Sequence, residues 1–167
     1  MPIKTISKEN NNCLYFITMT INRWYYLFDR FNRWNILADS LKYFQKNKGL
    51  KIYGYVFMLN HIHLLIQSEN IIGFERDFKK FTSKEIKKNI IENERNLFEL
   101  FLDKETGEYS FWQKTNSPKI IENKDFGLQK LNYIYYNPVR KDYVLKPEDW
   151  KWSSANSESE IKCESLY

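Results

Sequence analysis

The chain contains only two histidines, His61 and His63, and they stand one residue apart in the stretch YGYVFMLNHIHLLIQ. On an extended strand, residues i and i+2 point to the same side, so the two imidazoles project together while Ile62 faces the other way. A strand fixes their separation, and neutral ring nitrogens suit a divalent ion, so the pair has the form of two metal ligands. The competing reading is two structural histidines that happen to be neighbours. Random placement would produce this spacing only about one time in a hundred, and such pairs recur in unrelated metal sites. A metal site needs at least one more ligand. No third histidine exists, and Cys13 and Cys163 lie near opposite ends without metal-binding spacing, which argues against a closed structural zinc site or a disulfide framework. The missing donor must then be an oxygen of Asp, Glu, Asn or Gln, and a mixed site with open positions fits Mg²⁺ or Mn²⁺.

A second unusual stretch is LNYIYYNPVRKDYV, residues 131–144. If it is helical, Tyr133 and Asn137 share one face by their i, i+4 relation. A nucleophile and a metal ligand would then be presented to the same point. The alternative is that the tyrosines pack the helix with their hydroxyls at the rim, which is the reading preferred for Tyr135 and Tyr136.

Both stretches need a framework, and hydrophobic periodicity outlines one. CLYFITMTINR reads as a strand. RWNILADSLKYFQKNKG reads as a helix with Trp34, Leu37, Leu41 and Phe44 on one face, Arg33, Lys42 and Lys46 off it, and Gly49 as a stop. LKIYGYVFML and HIHLLIQS read as two strands of a hairpin divided near Leu59 and Asn60, apolar enough for the middle of a sheet. From Gly73 to about Glu94, Phe74, Phe78 and Phe81 mark a second helix, made basic by Lys79, Lys80, Lys84, Lys87 and Lys88. LFELFL and a turn at DKETGEY follow, then YSFWQKTNSPKIIEN as an extended stretch with a strand at KII. DFGLQKLNYIYYNP closes the series as a helix that Pro138 is expected to end. This order predicts an α+β fold on the ferredoxin-like split βαβ plan: an antiparallel sheet with helices on one face, plus a C-terminal tyrosine-bearing helix. The plan hosts many functions, so function must be argued from the site.

At 167 residues, with 43% hydrophobic and 17% aromatic content, a single domain is expected, and disorder does not describe the chain. Its core is read as about 13–155, with a polar lead-in over 1–12 and an irregular tail over 156–167. No apolar run reaches the roughly 18 residues of a membrane span, and the N-terminus lacks an apolar signal region, so a cytoplasmic location is expected. The net charge of +5 attracts polyanions, of which nucleic acid is the usual cellular example.

MLNHIHLLIQ, followed about 70 residues later by LNYIYYNPVRKDYVLKPEDWKWSSA, resembles the HUH single-tyrosine transposases of the insertion-sequence 200-like superfamily. The REP-associated tyrosine transposase branch is the most similar. The resemblance runs from about Tyr15 to Ala155 and includes FWQK at 111–114. It implies that His61 and His63 bind Mg²⁺ or Mn²⁺, that Asn137 is the third ligand and that Tyr133 is the nucleophile. The implied activity is a metal-dependent single-stranded DNA endonuclease and strand transferase working through a 5′-phosphotyrosine intermediate. The implied partner is single-stranded DNA containing a hairpin. The superfamily includes dimers that share active sites and single-chain forms, which leaves a homodimer open. This chain departs from the family in the residues between Tyr133 and Asn137, and in carrying Lys141 and Asp142 where Ala-Gly is frequent. A free phenol ionises near pH 10, so the nucleophile needs help from a nearby charge. Lys79, Lys80 and Lys84 are candidates for that help or for gripping phosphate, with Arg23 and Arg140 as further DNA contacts. A solvated basic helix face is the plainer account of the lysines. Trp24, Tyr25 and Tyr26, beside Arg23 and Arg30, are either base-stacking or packing residues. Trp112 and the WKWSS segment are assigned to structure. Rival functions are a non-catalytic or domesticated DNA-binding protein of the same fold, and a metal-dependent hydrolase that uses water.

Overall fold

Apolar alternation builds the strands, and punctuation by Gly and Asn sets the helix ends. The computed structural model describes residues 12–114 and 118–167. Residues 1–11 of the lead-in, and residues 115–117 of the extended stretch, lie outside the described residues. In chain order the elements are β1 (Leu14–Thr20), α1 (Arg33–Lys48), β2 (Lys51–Phe57), β3 (His61–Gln67), α2 (Ile71–Asn93), β4 (Lys119–Ile120) and α3 (Lys124–Arg140). Short 3₁₀ turns lie at Asn22–Trp24, Arg95–Phe101 and Pro147–Asp149. α1 stops where Gly49 takes φ 65°, a left-handed conformation that glycine adopts without steric cost. α2 and α3 begin at Asn70 and Asn123, whose side-chain oxygens accept from Gly73 N and Phe126 N, both at 2.9 Å.

The sheet order is β2-β3-β1-β4, antiparallel throughout. β3, which carries the histidines, is therefore interior, paired with β1 on one side and β2 on the other. On one face Ile17, Met19, Ile62, Leu64 and Ile66 pack with Leu37 and Leu41 of α1 and Phe74, Phe78, Ile86 and Ile90 of α2. Each such fully buried side chain contributes about 1.5–3 kcal/mol of transfer free energy. On the other face Phe16, Val56 and Leu65 pack with Ile134 of α3, flanked by Leu131 and Tyr135. α1 and α2 thus share one face, and the tyrosine-bearing helix covers the opposite one. Gly54 of β2 permits this approach, because a Cβ there would meet Leu131 Cδ1 at 2.5 Å.

Four local expectations change. Pro138 lies inside α3 rather than ending it. It forfeits one helical N–H near the C-terminus, and the chain then turns two residues later, with Lys141 N bonding Asn137 O and Tyr143 N bonding Pro138 O. Arg33, placed on the polar side by periodicity, is 0% exposed. Its Nη2 lies 2.6 Å from Glu94 Oε2, its Nε donates to Asn89 Oδ1 and its Nη1 to Leu27 O, so a charge at the helix start is buried with partners. Phe81 is 46% exposed; the buried stripe of α2 runs through Phe74, Phe78, Thr82, Ile86 and Ile90. Finally, packing extends past residue 155. Ile161 is buried, Glu164 N donates to Ile52 O at 2.7 Å, and Leu166 reaches the cluster under α3.

Candidate active site

The histidine strand begins directly after a hairpin turn that is clamped from several sides. Trp34 Nε1 donates to Met58 O at 3.0 Å, and Trp150 Nε1 to Phe57 O at 2.9 Å. Leu27 N and Phe28 N both donate to Leu59 O. The WKWSS segment and Trp34 thus position the turn, in keeping with a structural role. Trp112 is likewise buried, donating through Nε1 to Thr82 Oγ1 at 2.9 Å.

His61 and His63 face the α3 side, with ring centroids 4.8 Å apart. His61 Nδ1 lies 2.7 Å from Asn60 Oδ1, while Asn60 Nδ2 donates to Trp24 O. An amide oxygen can only accept, so the His61 proton sits on Nδ1 and the Nε2 lone pair is free. His63 Nδ1 pairs with Thr18 Oγ1 at 2.8 Å, its cross-strand neighbour in register. His63 is 4% exposed, and its Nε2 is buried without a hydrogen-bond partner. Burial, then the proximity of Lys141, pulls the His61 pKa down to about 4. Burial, then His61 and Lys130, pulls that of His63 down to about 3. Both rings are neutral at pH 7, the state that a metal ligand requires.

α3 supplies the rest. The Tyr133 ring lies 5.2 Å from the His63 ring and 5.9 Å from Phe16, which itself stacks on His63. Lys141, just past the end of α3, exerts its charge on His61. Tyr133 and Asn137 follow i, i+4 spacing on α3, so Asn137 stands one turn along the same face from the ring packed against His63. Asn137 is 5% exposed and its Oδ1 is buried without a partner. An orphaned buried polar atom costs about 1–3 kcal/mol, so two on neighbouring elements call for an explanation. A divalent cation would account for both: the two neutral imidazoles and the amide oxygen would hold it as N, N and O donors, the His61 and His63 Nδ1 atoms being already engaged by Asn60 and Thr18. No cluster of three His, Cys, Asp or Glu ligands exists among the described residues, so an amide donor is what such a site must use.

Tyr133 is bracketed by cations. Arg140 Cζ lies 4.7 Å from its ring centroid and Lys130 Nζ 5.7 Å, with Lys130 also 4.9 Å over Phe16. Lys79, Lys80 and Lys84 do not fill this place. They belong to α2, which packs on the opposite face of the sheet. Lys79 Nζ donates to Gln113 O, and Lys79 and Lys80 line an open hollow of about 300 Å³ with Ser83, Trp112 and Lys114. The sheet thus separates Lys79, Lys80 and Lys84 from Tyr133, and the cations beside the tyrosine ring are Lys130 and Arg140 instead. Arg23 is exposed in the turn after β1, next to Trp24, whose carbonyl accepts from Asn60 Nδ2. Tyr135 is half-buried in the packing under α3, as expected, whereas Tyr136 is exposed. Sequence reading missed Thr18, Asn60 and Lys130. Lys130 was detectable at i−3 from Tyr133, but Thr18 depends on strand register and Asn60 on a loop contact.

Residues 10–122 match the model of the family described as transposase, IS200-like. The matched range includes both histidines and ends before α3. No curated protein matches the chain. Among solved structures, the fold is similar to that of a REP-associated tyrosine transposase bound to a REP hairpin, with TM-score 0.65 and 19% identity over 86% of this chain and 77% of that one. Built on an interior histidine strand faced by a tyrosine helix, and matched over most of its length, the chain belongs to the IS200-like transposase family.

Proposed function

We propose that this protein cleaves and rejoins single-stranded DNA, with Tyr133 as nucleophile and His61, His63 and Asn137 as ligands of Mg²⁺ or Mn²⁺. The observation that carries the reading is the pair of buried, unpartnered atoms, His63 Nε2 and Asn137 Oδ1, on two elements that meet where Tyr133 packs against His63. A cation held by His61, His63 and Asn137 would supply positive charge to the scissile phosphate. Tyr133 Oη attacks phosphorus in line, forming an O–P bond as the bond to the 3′ oxygen breaks. The departing oxygen takes up a proton as a 3′-hydroxyl, and the 5′ phosphate stays on the tyrosine. Lys130 and Arg140, bracketing the ring, favour the negative charge that builds on the phosphate. One phosphoester replaces another, so a second 3′-hydroxyl can reverse the step and join strands without an energy source. A hairpin-containing single strand is the expected substrate, in line with the REP hairpin bound by the structurally similar transposase.

The test incubates labelled single-stranded hairpin DNA with the protein and Mn²⁺ and resolves the products on a denaturing gel. A covalent protein–DNA band that is lost in Tyr133→Phe is the expected result. Cleavage without an adduct would move the protein to the hydrolases, and binding with neither would make it a non-catalytic DNA-binding protein. An adduct that persists in Tyr133→Phe would move the nucleophile to another tyrosine.

A further inference from the structure

Between β1 and α1 the chain passes beside the histidine hairpin, and its first turn is built from unsuitable residues. Arg23 and Trp24 both have left-handed backbone, at φ 60° and 54°, a region that bulky L residues rarely occupy and that Gly or Asn would adopt more easily. The turn is nevertheless pinned. Ile21 N donates to Asn60 O at 2.8 Å, Asn60 Nδ2 to Trp24 O at 2.9 Å, and Asn22 Nδ2 to Ser110 O at 2.8 Å. The tryptophan gains no burial in return. It is 64% exposed, the most exposed aromatic side chain among the described residues, whereas Trp112 is buried. A strained backbone that is rigidly held and presents a large flat ring to solvent is the mark of a binding residue. Its location is specific, since the same Asn60 amide that holds the Trp24 carbonyl also pairs with His61 Nδ1.

We propose that Trp24, with Arg23 beside it, is a stacking platform for one unpaired base of single-stranded DNA next to the histidine site, set in place by Asn60. The inference rests on the transposase reading and deepens it. An indole face takes any base, and the exposed Arg23 guanidinium is suited to the adjoining phosphate. The neighbouring open hollow of about 640 Å³ carries Glu99, Asp103 and Glu105 as well as Arg23, Lys104 and Lys114. Its charges balance, so the indole and not the hollow selects the ligand.

The test uses the full-length Tyr133→Phe protein, in which the adduct is blocked, and two fluorescent DNA probes. One is a blunt hairpin; the other carries a single-stranded tail of about four nucleotides. Adding Trp24→Ala is expected to weaken binding of the tailed probe by about ten- to a hundredfold, with affinity for the blunt hairpin and for Mn²⁺ unchanged. Trp24→Phe is expected to retain most of the affinity. An equal loss on both probes, or no loss on the tailed probe, overturns the platform. The wild-type adduct assay separates the two readings. A chain that forms the adduct but shows no tail-dependent loss refutes the platform alone, whereas one with no adduct and no affinity for either probe refutes the transposase reading with it.

Discussion

Replacing Asn137 by leucine should stabilise the metal-free protein and remove most of its response to Mn²⁺. The reasoning starts from Asn137 Oδ1, a buried acceptor without a partner. Such a group costs about 1–3 kcal/mol, and leucine has nearly the shape of asparagine while needing no hydrogen bond. Allowing for imperfect packing of two methyl groups in place of the smaller amide oxygen and nitrogen, the net gain is about 1 kcal/mol, which raises Tm by about 2–4 °C for a chain of this size. With Mn²⁺ the order reverses. At an ion concentration about 100 times Kd, the wild type gains about 2.7 kcal/mol. Loss of one of three protein donors, taken as a roughly hundredfold weaker site, leaves the variant a gain of about 0.4 kcal/mol. Urea or thermal unfolding of both proteins, once in EDTA and once with Mn²⁺, should therefore show the two stabilities crossing. The reasoning fails if Asn137→Leu is less stable than the wild type in EDTA, or if Mn²⁺ stabilises both equally.

Glu94 bonds Arg30 through Oε1 and the fully buried Arg33 through Oε2. Glu94→Ala leaves that guanidinium without its counter-charge and should cost about 3 kcal/mol in urea unfolding; a loss below about 1 kcal/mol would show that Asn89 and Leu27 satisfy Arg33 by themselves. The two histidines also predict a pH dependence. Their folded pKa values lie near 4 and 3, below the ordinary histidine value of 6.5, so unfolding takes up protons as pH falls below 6.5. In EDTA, stability should drop between pH 6.5 and about 4 by up to about 1.4 kcal/mol per pH unit for each histidine. A His61→Asn/His63→Gln variant should show a shallower slope from pH 6.5 to 5, and an unchanged slope would show that the rings are not held neutral.

Much of this protein was set by local spacing. The order of strands and helices followed from runs such as CLYFITMT and from the Gly49 stop, because hydrophobic period and capping act within a few residues. The same holds for the chemistry: i, i+2 on a strand pairs His61 with His63, and i, i+4 on a helix pairs Tyr133 with Asn137. What the chain could not declare locally depends on distant partners. Arg33 read as surface because its counter-charge, Glu94, stands 61 positions away in sequence, and Phe81 read as core because periodicity cannot tell which helix edge the neighbours leave open. The lysines of α2 looked available to Tyr133 until the sheet came between them. Only tertiary structure decides that α3 lies on the histidine face, that Thr18 and Asn60 hold the outer nitrogens, and that Lys130 and Arg140 bracket the tyrosine. Burial, register and layer are properties of the assembled fold, and the two unpartnered atoms His63 Nε2 and Asn137 Oδ1 become meaningful only once folding has removed water from both.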